Sequence, residues 1–173
     1  MNQPYIRIAA AVLALCGAAL PASAGTGTAT FTVTATVINS CTITTNSITF
    51  GNYDPASATA TTAQGAVNTK CTMGDAVSVA LNQGLNPATG STAAVPARQM
   101  ATPGTNYLPY HIYTASGGTT EWGTGTVGTN TPPAQTSASV NTALVFTTYG
   151  TILAGVNVPA GNYTDTVTAT VTF

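Results

Sequence analysis

The stretch GTATFTVTATVINSC, residues 27–41, contains the most regular pattern in the chain. From Thr30 to Val37, every even-numbered residue is threonine and every odd-numbered residue is apolar. Because successive side chains of a β-strand point to opposite faces, this alternation predicts a strand with one apolar face. That face, which needs a groove to be buried in, consists of Phe31, Val33, Ala35 and Val37.

The end of the chain repeats the same pattern in reverse order. Residues 31–37 read FTVTATV, and residues 173 to 167, read backwards, give the same letters. In an antiparallel pair, this match would place Phe31 opposite Phe173 and Val37 opposite Val167, so that like side chains face each other. The two strands could pair within one molecule and complete a sandwich, or between molecules by strand addition. The sequence leaves both arrangements open.

The first 24 residues have the features of a signal peptide. The apolar run at 8–20 follows Arg7 and precedes Ala22-Ser23-Ala24, which is a small-x-small cleavage pattern. The run is shorter than the roughly 20 apolar residues that span a bilayer. We therefore expect residues 1–24 to be removed and the protein to be exported.

Export changes both the number of cysteines in the chain and the redox conditions around them. Cys16 is removed with the signal peptide, which leaves Cys41 and Cys71 as an even pair in an oxidising compartment. One disulfide is the natural interpretation. A metal site is not expected, because two thiolates and His111 fall short of four tetrahedral ligands.

The mature chain carries very little charge. Its 149 residues (173 minus 24) are enough for one domain with a sizeable core. Two cations cannot neutralise a run of phosphates, so nucleic acid is excluded as a partner. A surface dominated by threonine and glycine suits a protein that meets other copies of itself. The charged residues of the mature chain are Lys70, Arg98, Asp54, Asp75, Glu121 and Asp165.

Alternation with period two recurs along the mature chain, and helix periodicity does not. Turn clusters rich in Gly, Pro, Asn and Ser separate the alternating runs. Short strands at this spacing predict an all-β fold, namely an antiparallel β-sandwich. The predicted strands are residues 28–38, 42–50, 76–81, 107–115, 139–152 and 163–173.

The residues that enzymes use are almost absent. His111 is the only imidazole, and the four acidic residues have no spacing suited to acid–base catalysis. We therefore expect no enzymatic activity, no cofactor and no small-molecule substrate.

Two binding functions compete with a structural one. Trp122 and the tyrosines at 107, 110 and 113 could form a platform on which sugar rings stack. An ice-binding surface would need Thr-x-Thr rows at a fixed period, but these rows occur mainly at the two termini.

Several motifs, taken in their order along the chain, resemble those of one family. After the alternating segment that ends at Cys41 come FGNYDP (50–55), TKCTMG (69–74) and RQM (98–100). These are followed by YLPYHIY (107–113), WG (122–123), TYG (148–150) and the terminal GNYTDTVTATVTF (161–173). The set resembles the spore coat protein U domain, a family that includes the pilin subunits of archaic chaperone–usher pili. The resemblance covers the chain from about Phe31 to Phe173.

The resemblance implies an immunoglobulin-like sandwich that lacks its last strand. In pilins of this kind, a periplasmic chaperone lends a strand to the groove, and at the outer-membrane usher the N-terminal segment of the next subunit replaces it. Residues 25–40 would then be the donor-strand segment and residues 41–173 the pilin-like domain. The resemblance further implies a disulfide between Cys41 and Cys71.

The same resemblance assigns roles to the matching strands. The donor residues are expected to be Phe31, Val33, Ala35 and Val37. The acceptor groove is expected to include Val167, Ala169, Val171 and Phe173. The expected function is that of a structural subunit of a secreted surface fibre that supports adhesion or biofilm formation. Its expected partners are other copies of itself or related pilins, the chaperone and the usher. The alternative is a monomeric or coat-associated sandwich that binds carbohydrate or a cell surface.

Overall fold

A computed structural model of the protein describes residues 23–103 and 105–173. Residues 1–22, which hold nearly all of the predicted signal peptide, lie outside the described residues. The described part of the chain contains eight β-strands and no helix. The strands are β1 (Cys41–Asn46), β2 (Thr61–Cys71), β3 (Ala76–Leu81), β4 (Arg98–Ala101), β5 (Tyr107–Tyr113), β6 (Gln135–Thr136), β7 (Leu144–Ile152) and β8 (Ala169–Thr172).

The strands form two sheets. The larger sheet has the order β1-β2-β7-β5-β4, and the smaller has the order β6-β3-β8. Neighbouring strands are antiparallel throughout both sheets. The predicted all-β antiparallel fold is therefore confirmed.

One hydrophobic core joins the two sheets into a sandwich. Alternate residues of β3 (Val77, Val79 and Leu81) are at most 3% exposed and come from the smaller sheet. They share the core with side chains of the larger sheet, such as Val67 in β2 and Phe146 in β7. The period-two pattern of the sequence therefore corresponds to one inward and one outward face on β2, β3, β5 and β7.

A disulfide joins Cys41 to Cys71. The two residues are direct cross-strand partners in the β1–β2 pair. Strand β1 is at the edge of the larger sheet, so it has a neighbouring strand on one side only. The disulfide therefore fixes covalently the start of a strand that is held by β2 alone.

Strands β2, β4 and β6 were not among the predicted strands, and one predicted strand does not form. Strand β2 was not predicted, because its inward side includes Gly65 and Thr69 and so lacks a continuous apolar signal. Conversely, residues 28–38 were predicted as a strand but have no strand hydrogen bonding, and every side chain in this range is exposed. An extended segment needs a neighbouring backbone to become part of a sheet.

Replacing both cysteines of the pair, as Cys41→Ser with Cys71→Ser, should lower the free energy of unfolding by about 3 to 4 kcal/mol. This value is the chain entropy regained when a loop with a sequence separation of 30 residues is opened. Urea unfolding of the oxidised and the substituted protein measures the difference. A change below about 1 kcal/mol would show that β1 is held mainly by its hydrogen bonds to β2.

Candidate functional site

The site lies where the two sheets end on the same side of the sandwich. Strand β1 is an edge of the larger sheet, and β8 is an edge of the smaller sheet. Beside them, residues 47–50 and 165–168 belong to no strand ladder. Their side chains nevertheless alternate between half-buried and exposed, as in a strand. The two segments are therefore strand-like walls that lack a strand between them.

The first wall passes over two glycines of the larger sheet. A Cβ atom on Gly65 would lie 2.9 Å from Ile48, and one on Gly150 would lie 2.7 Å from Ile48 and 2.9 Å from Phe50. Side chains at these two inward-facing positions would push the wall away from the sheet. The absence of Cβ atoms lets Ile48 and Phe50 pack directly on β2 and β7.

The alternation of the second wall continues on both sides of it, so that it covers residues 163–171. The odd-numbered residues are half-buried, and the threonines between them are exposed. Thr164 exchanges two backbone hydrogen bonds with Ala101, and the Thr168 carbonyl accepts one from the Asn82 amide. Because backbone groups alternate in direction along a strand, those of Asp165 and Val167 point to the opposite edge. That edge faces the first wall.

Two adjoining cavities separate the walls, and together they form what we call the groove. Their volumes are about 300 Å³ and about 820 Å³. The smaller cavity extends from Thr45 in β1 to Ala169 in β8, and the larger cavity extends from Pro55 to Val158. Both cavities are lined by Ile48, Phe50, Met100, Tyr163 and Thr164. The groove is therefore continuous, and it reaches the core residues Val67, Leu81, Tyr110 and Ile112.

Asp165 is the charged residue that lines this groove in the described part of the chain. Its Oδ2 accepts a hydrogen bond of 2.6 Å from the Tyr110 hydroxyl. Its Oδ1 accepts hydrogen bonds from the Leu85 amide at 2.9 Å and from Asn86 Nδ2 at 3.4 Å. These contacts fasten the second wall to β5 and to the turn that follows β3.

Burial, the hydrogen bond to Asp165 and the charge of that carboxylate raise the pKa of Tyr110 well above its usual value. The cost of burying a charged phenolate therefore keeps the hydroxyl protonated, and so able to donate, at alkaline pH.

Arg98, the first residue of β4 in the larger sheet, connects the two sheets. Its guanidinium is fully buried and donates to the carbonyls of Asn82 at 2.6 Å and Trp122 at 2.6 Å. Glu121 lies 3.7 Å from Arg98 and also contacts the His111 imidazole. Burial lowers the pKa of Arg98, and the neighbouring Tyr110 and Glu121 oppose that shift.

A sugar-binding platform on Trp122 is ruled out by burial. Trp122 is 0% exposed, and its indole nitrogen donates to the Val79 carbonyl at 3.0 Å. Tyr110 is also buried, whereas Tyr107 is 44% exposed. Because stacking on a sugar ring needs an accessible aromatic face, this part of the carbohydrate-binding alternative was wrong.

Comparison with known proteins places the chain in a family. The family model described as Spore Coat Protein U domain matches residues 27–170. The chain belongs to the Spore Coat Protein U domain family. It is 38% identical over 163 residues to Protein U of Myxococcus xanthus, with 88% of each chain covered.

This spore coat protein U domain is also similar to a solved structure. The structure is the CsuC–CsuE chaperone–tip adhesion subunit pre-assembly complex from the archaic chaperone–usher Csu pili of Acinetobacter baumannii. The TM-score is 0.56 and the sequence identity is 26%. The match covers 80% of this chain and 41% of that chain.

Of the four residues expected to accept a strand, two line the groove and two do not. Val167 and Ala169 line the groove of this spore coat protein U domain. Val171 lies further along β8 and is half-buried against the core. Phe173 follows β8 and is 47% exposed.

The residues expected to donate a strand are all exposed. Phe31 is 86% exposed, Val33 is 80% exposed and Val37 is 83% exposed, and Ala35 is also exposed. They lie in residues 23–40, which form no strand. Described by itself, this segment presents its apolar stripe to solvent.

Sequence reasoning missed one wall of the groove. Ile48, Phe50 and Tyr53 were included in a predicted strand or a turn cluster, and Asp165 was treated only as one of four separated acids. Alternation in residues 47–50 (SITF) could have identified inward-facing residues there. It could not have shown that these residues lie beside no further strand, because pairing is a property of the folded sheet.

The contact between Tyr110 and Asp165 makes stability sensitive to alkaline pH. An unfolded tyrosine loses its proton near pH 10, while the folded protein retains the Tyr110 proton above that pH. The stabilisation is therefore fully present below about pH 10 and falls as the pH rises above it, by at most about 1.4 kcal/mol per pH unit. Tyr110→Phe should remove this part of the dependence of stability on pH. It should also lower the free energy of unfolding by roughly 1 to 3 kcal/mol at neutral pH. Urea unfolding between pH 7 and pH 11 measures both effects.

The matched control is Tyr107→Phe, which removes a hydroxyl from an exposed ring on the same strand. The control should retain the neutral-pH stability and the alkaline slope of the unchanged chain. Identical slopes for the two variants would contradict the role of Tyr110.

Proposed function

We propose that the protein is a structural subunit of a secreted surface fibre, a pilus, that polymerises by donor-strand exchange. Residues 1–24 act as a signal peptide, residues 25–40 are the donor segment, and residues 41–173 are the accepting domain. The single observation that carries the proposal is the groove between two strand-like walls, in a chain that also presents a free apolar stripe of matching period. Each copy carries both a groove and a segment, so copies can join head to tail, and a filament results unless the rotation between copies closes a ring.

The energetics favour occupation of the groove. Burying one Phe and two Val side chains contributes roughly 4 to 8 kcal/mol. Backbone hydrogen bonds to the free edge of the second wall add about 1 kcal/mol each. Strand addition of this kind combines backbone pairing for affinity with side-chain pockets for specificity.

Chain length supports a second copy as the source of the strand. Four residue steps separate Val37 from Cys41, which is at most about 14 Å. In the antiparallel match, Val37 lies beside Val167, which lines the smaller cavity, and the segment continues toward Tyr163. Phe50, which lines that end, lies nine residues beyond Cys41, or roughly 30 Å along an extended chain. A chain's own segment can therefore enter only in the reverse direction, parallel to the second wall.

The proposed partners follow from the same surfaces. An exposed apolar stripe and an empty groove both need protection before assembly. The similar Csu structure is a complex of a chaperone with a pilus subunit, which supports a periplasmic chaperone as the temporary partner. An outer-membrane usher would then receive the subunit, and the assembled fibre would serve adhesion or biofilm formation at the cell surface.

Placing a charge on the inward face of the donor segment tests the proposal. Val33→Asp should shorten or abolish fibres, because burying an unpaired carboxylate in an apolar groove is strongly unfavourable. Deletion of residues 25–38 should abolish donation while the remaining domain still binds its chaperone. Electron microscopy of fibre length and co-purification with the chaperone measure the two effects.

Thr34→Asp is the matched control, since it adds the same charge one position away on the outward face. Fibres of normal length from Thr34→Asp and none from Val33→Asp are the expected pair of results. Fibres of normal length from the deletion variant would sink the proposal.

A further inference from the structure

We infer that Asn39 of one copy lies against Asp165 of the next and fixes the register of the inserted strand. The inference rests on the proposed function and adds a residue that determines where the donor segment stops in the groove.

Beyond Val37, the paired residues are no longer identical, but their side chains are chemically complementary. The next inward-facing residue of the donor segment is Asn39, and the same pairing sets it opposite Asp165. Moving the donor by two residues would set Val37 against Asp165, and moving it by four would set Ala35 there. An apolar side chain in that place would remove water from the carboxylate without offering a hydrogen bond. Asn39 has two amide N–H groups to donate.

Asp165 has an acceptor site without a partner among the described residues. A carboxylate offers about four acceptor sites, and Tyr110, Leu85 and Asn86 occupy three of them. The one remaining belongs to Oδ2, on a side chain that lines the groove. A donor amide at this point would therefore complete the set of partners of Asp165.

Asn39 is also the last residue of the donor segment that can enter the groove of another copy. Its side chain is exposed, and the next residue, Ser40, is bound to its own domain. The Ser40 amide donates to Thr72 Oγ1 at 2.9 Å, and the Thr72 amide donates to the Ser40 carbonyl at 2.9 Å. A pairing of Asn39 with Asp165 would therefore mark the junction between successive copies.

Disulfide cross-linking between full chains reads the register directly. Thr168 directs its backbone groups to Asn82, so opposite an inserted strand it would occupy a non-hydrogen-bonded pair, in which Cα atoms approach to about 4.5 Å. Chains carrying Thr32→Cys, Thr34→Cys or Thr36→Cys are each mixed with differently tagged chains carrying Thr168→Cys. After oxidation, heterodimers are measured on a non-reducing gel.

The expected heterodimer is the one between positions 36 and 168. Adding Asn39→Ala to the donor chain should lower its yield about fivefold to tenfold and shift linkage toward position 34. Asn39→Asp should lower the yield further, because like charges directly opposite each other are destabilising. Ile38→Ala, the adjacent outward-facing change, is the matched control and should leave the register unchanged.

The outcomes separate the register from the proposed function. Strongest linkage at position 34 or 32 in the chain with native Asn39, or no effect of Asn39→Ala, would overturn the inference while a strand still enters the groove. Absence of heterodimers in every mixture would instead reject strand exchange between copies, and the inference with it. Because the Asn39 side chain is exposed in the isolated chain, its replacement leaves the accepting domain intact.

Discussion

The main constraint on this structure is that two sheet edges carry backbone N–H and C=O groups with no neighbouring strand to pair with. Strands β1 and β8 are edges of different sheets, and between their continuations lies a groove that reaches the core. Backbone N–H and C=O groups must be paired or hydrated, and apolar side chains gain from leaving water. One inserted strand would meet both requirements together. The incomplete sandwich and the exposed N-terminal segment are therefore two halves of one arrangement under the proposed function.

A groove without its strand needs another means of keeping its shape. The first wall is held by the Cys41–Cys71 disulfide at the start of β1 and by close packing on Gly65 and Gly150. The second wall is held by Asp165, whose carboxylate binds β5 and the turn after β3. Directional polar contacts suit this task, because they fix a segment even where apolar packing on one side is absent.

The sequence predicted the strands whose inward faces are apolar, and β3 was predicted with its observed limits. It did not predict β2, because glycine and threonine occupy inward positions where a sandwich normally has aliphatic residues. The alternation of residues 31–37 correctly indicated one apolar face, but periodicity cannot identify the neighbour that would bury it. The first wall was missed for the same reason, since Ile48 and Phe50 differ from other strand residues only in what lies beside them.

Under the proposed function, the low charge of the chain affects how readily copies meet. An apolar stripe whose large side chains are at least 80% exposed, on a mature chain with two cationic and four acidic residues, has little electrostatic repulsion to delay contact with other copies. The threonines on the opposite face keep the segment hydrated, but its high β-propensity and its lack of charge and proline leave free segments able to pair with one another. Productive pairing is further favoured if polar groups select the register, because a strand with a uniform apolar pattern slips easily in steps of two. A single amide opposite a single carboxylate would supply that selection, while the apolar residues supply most of the binding energy.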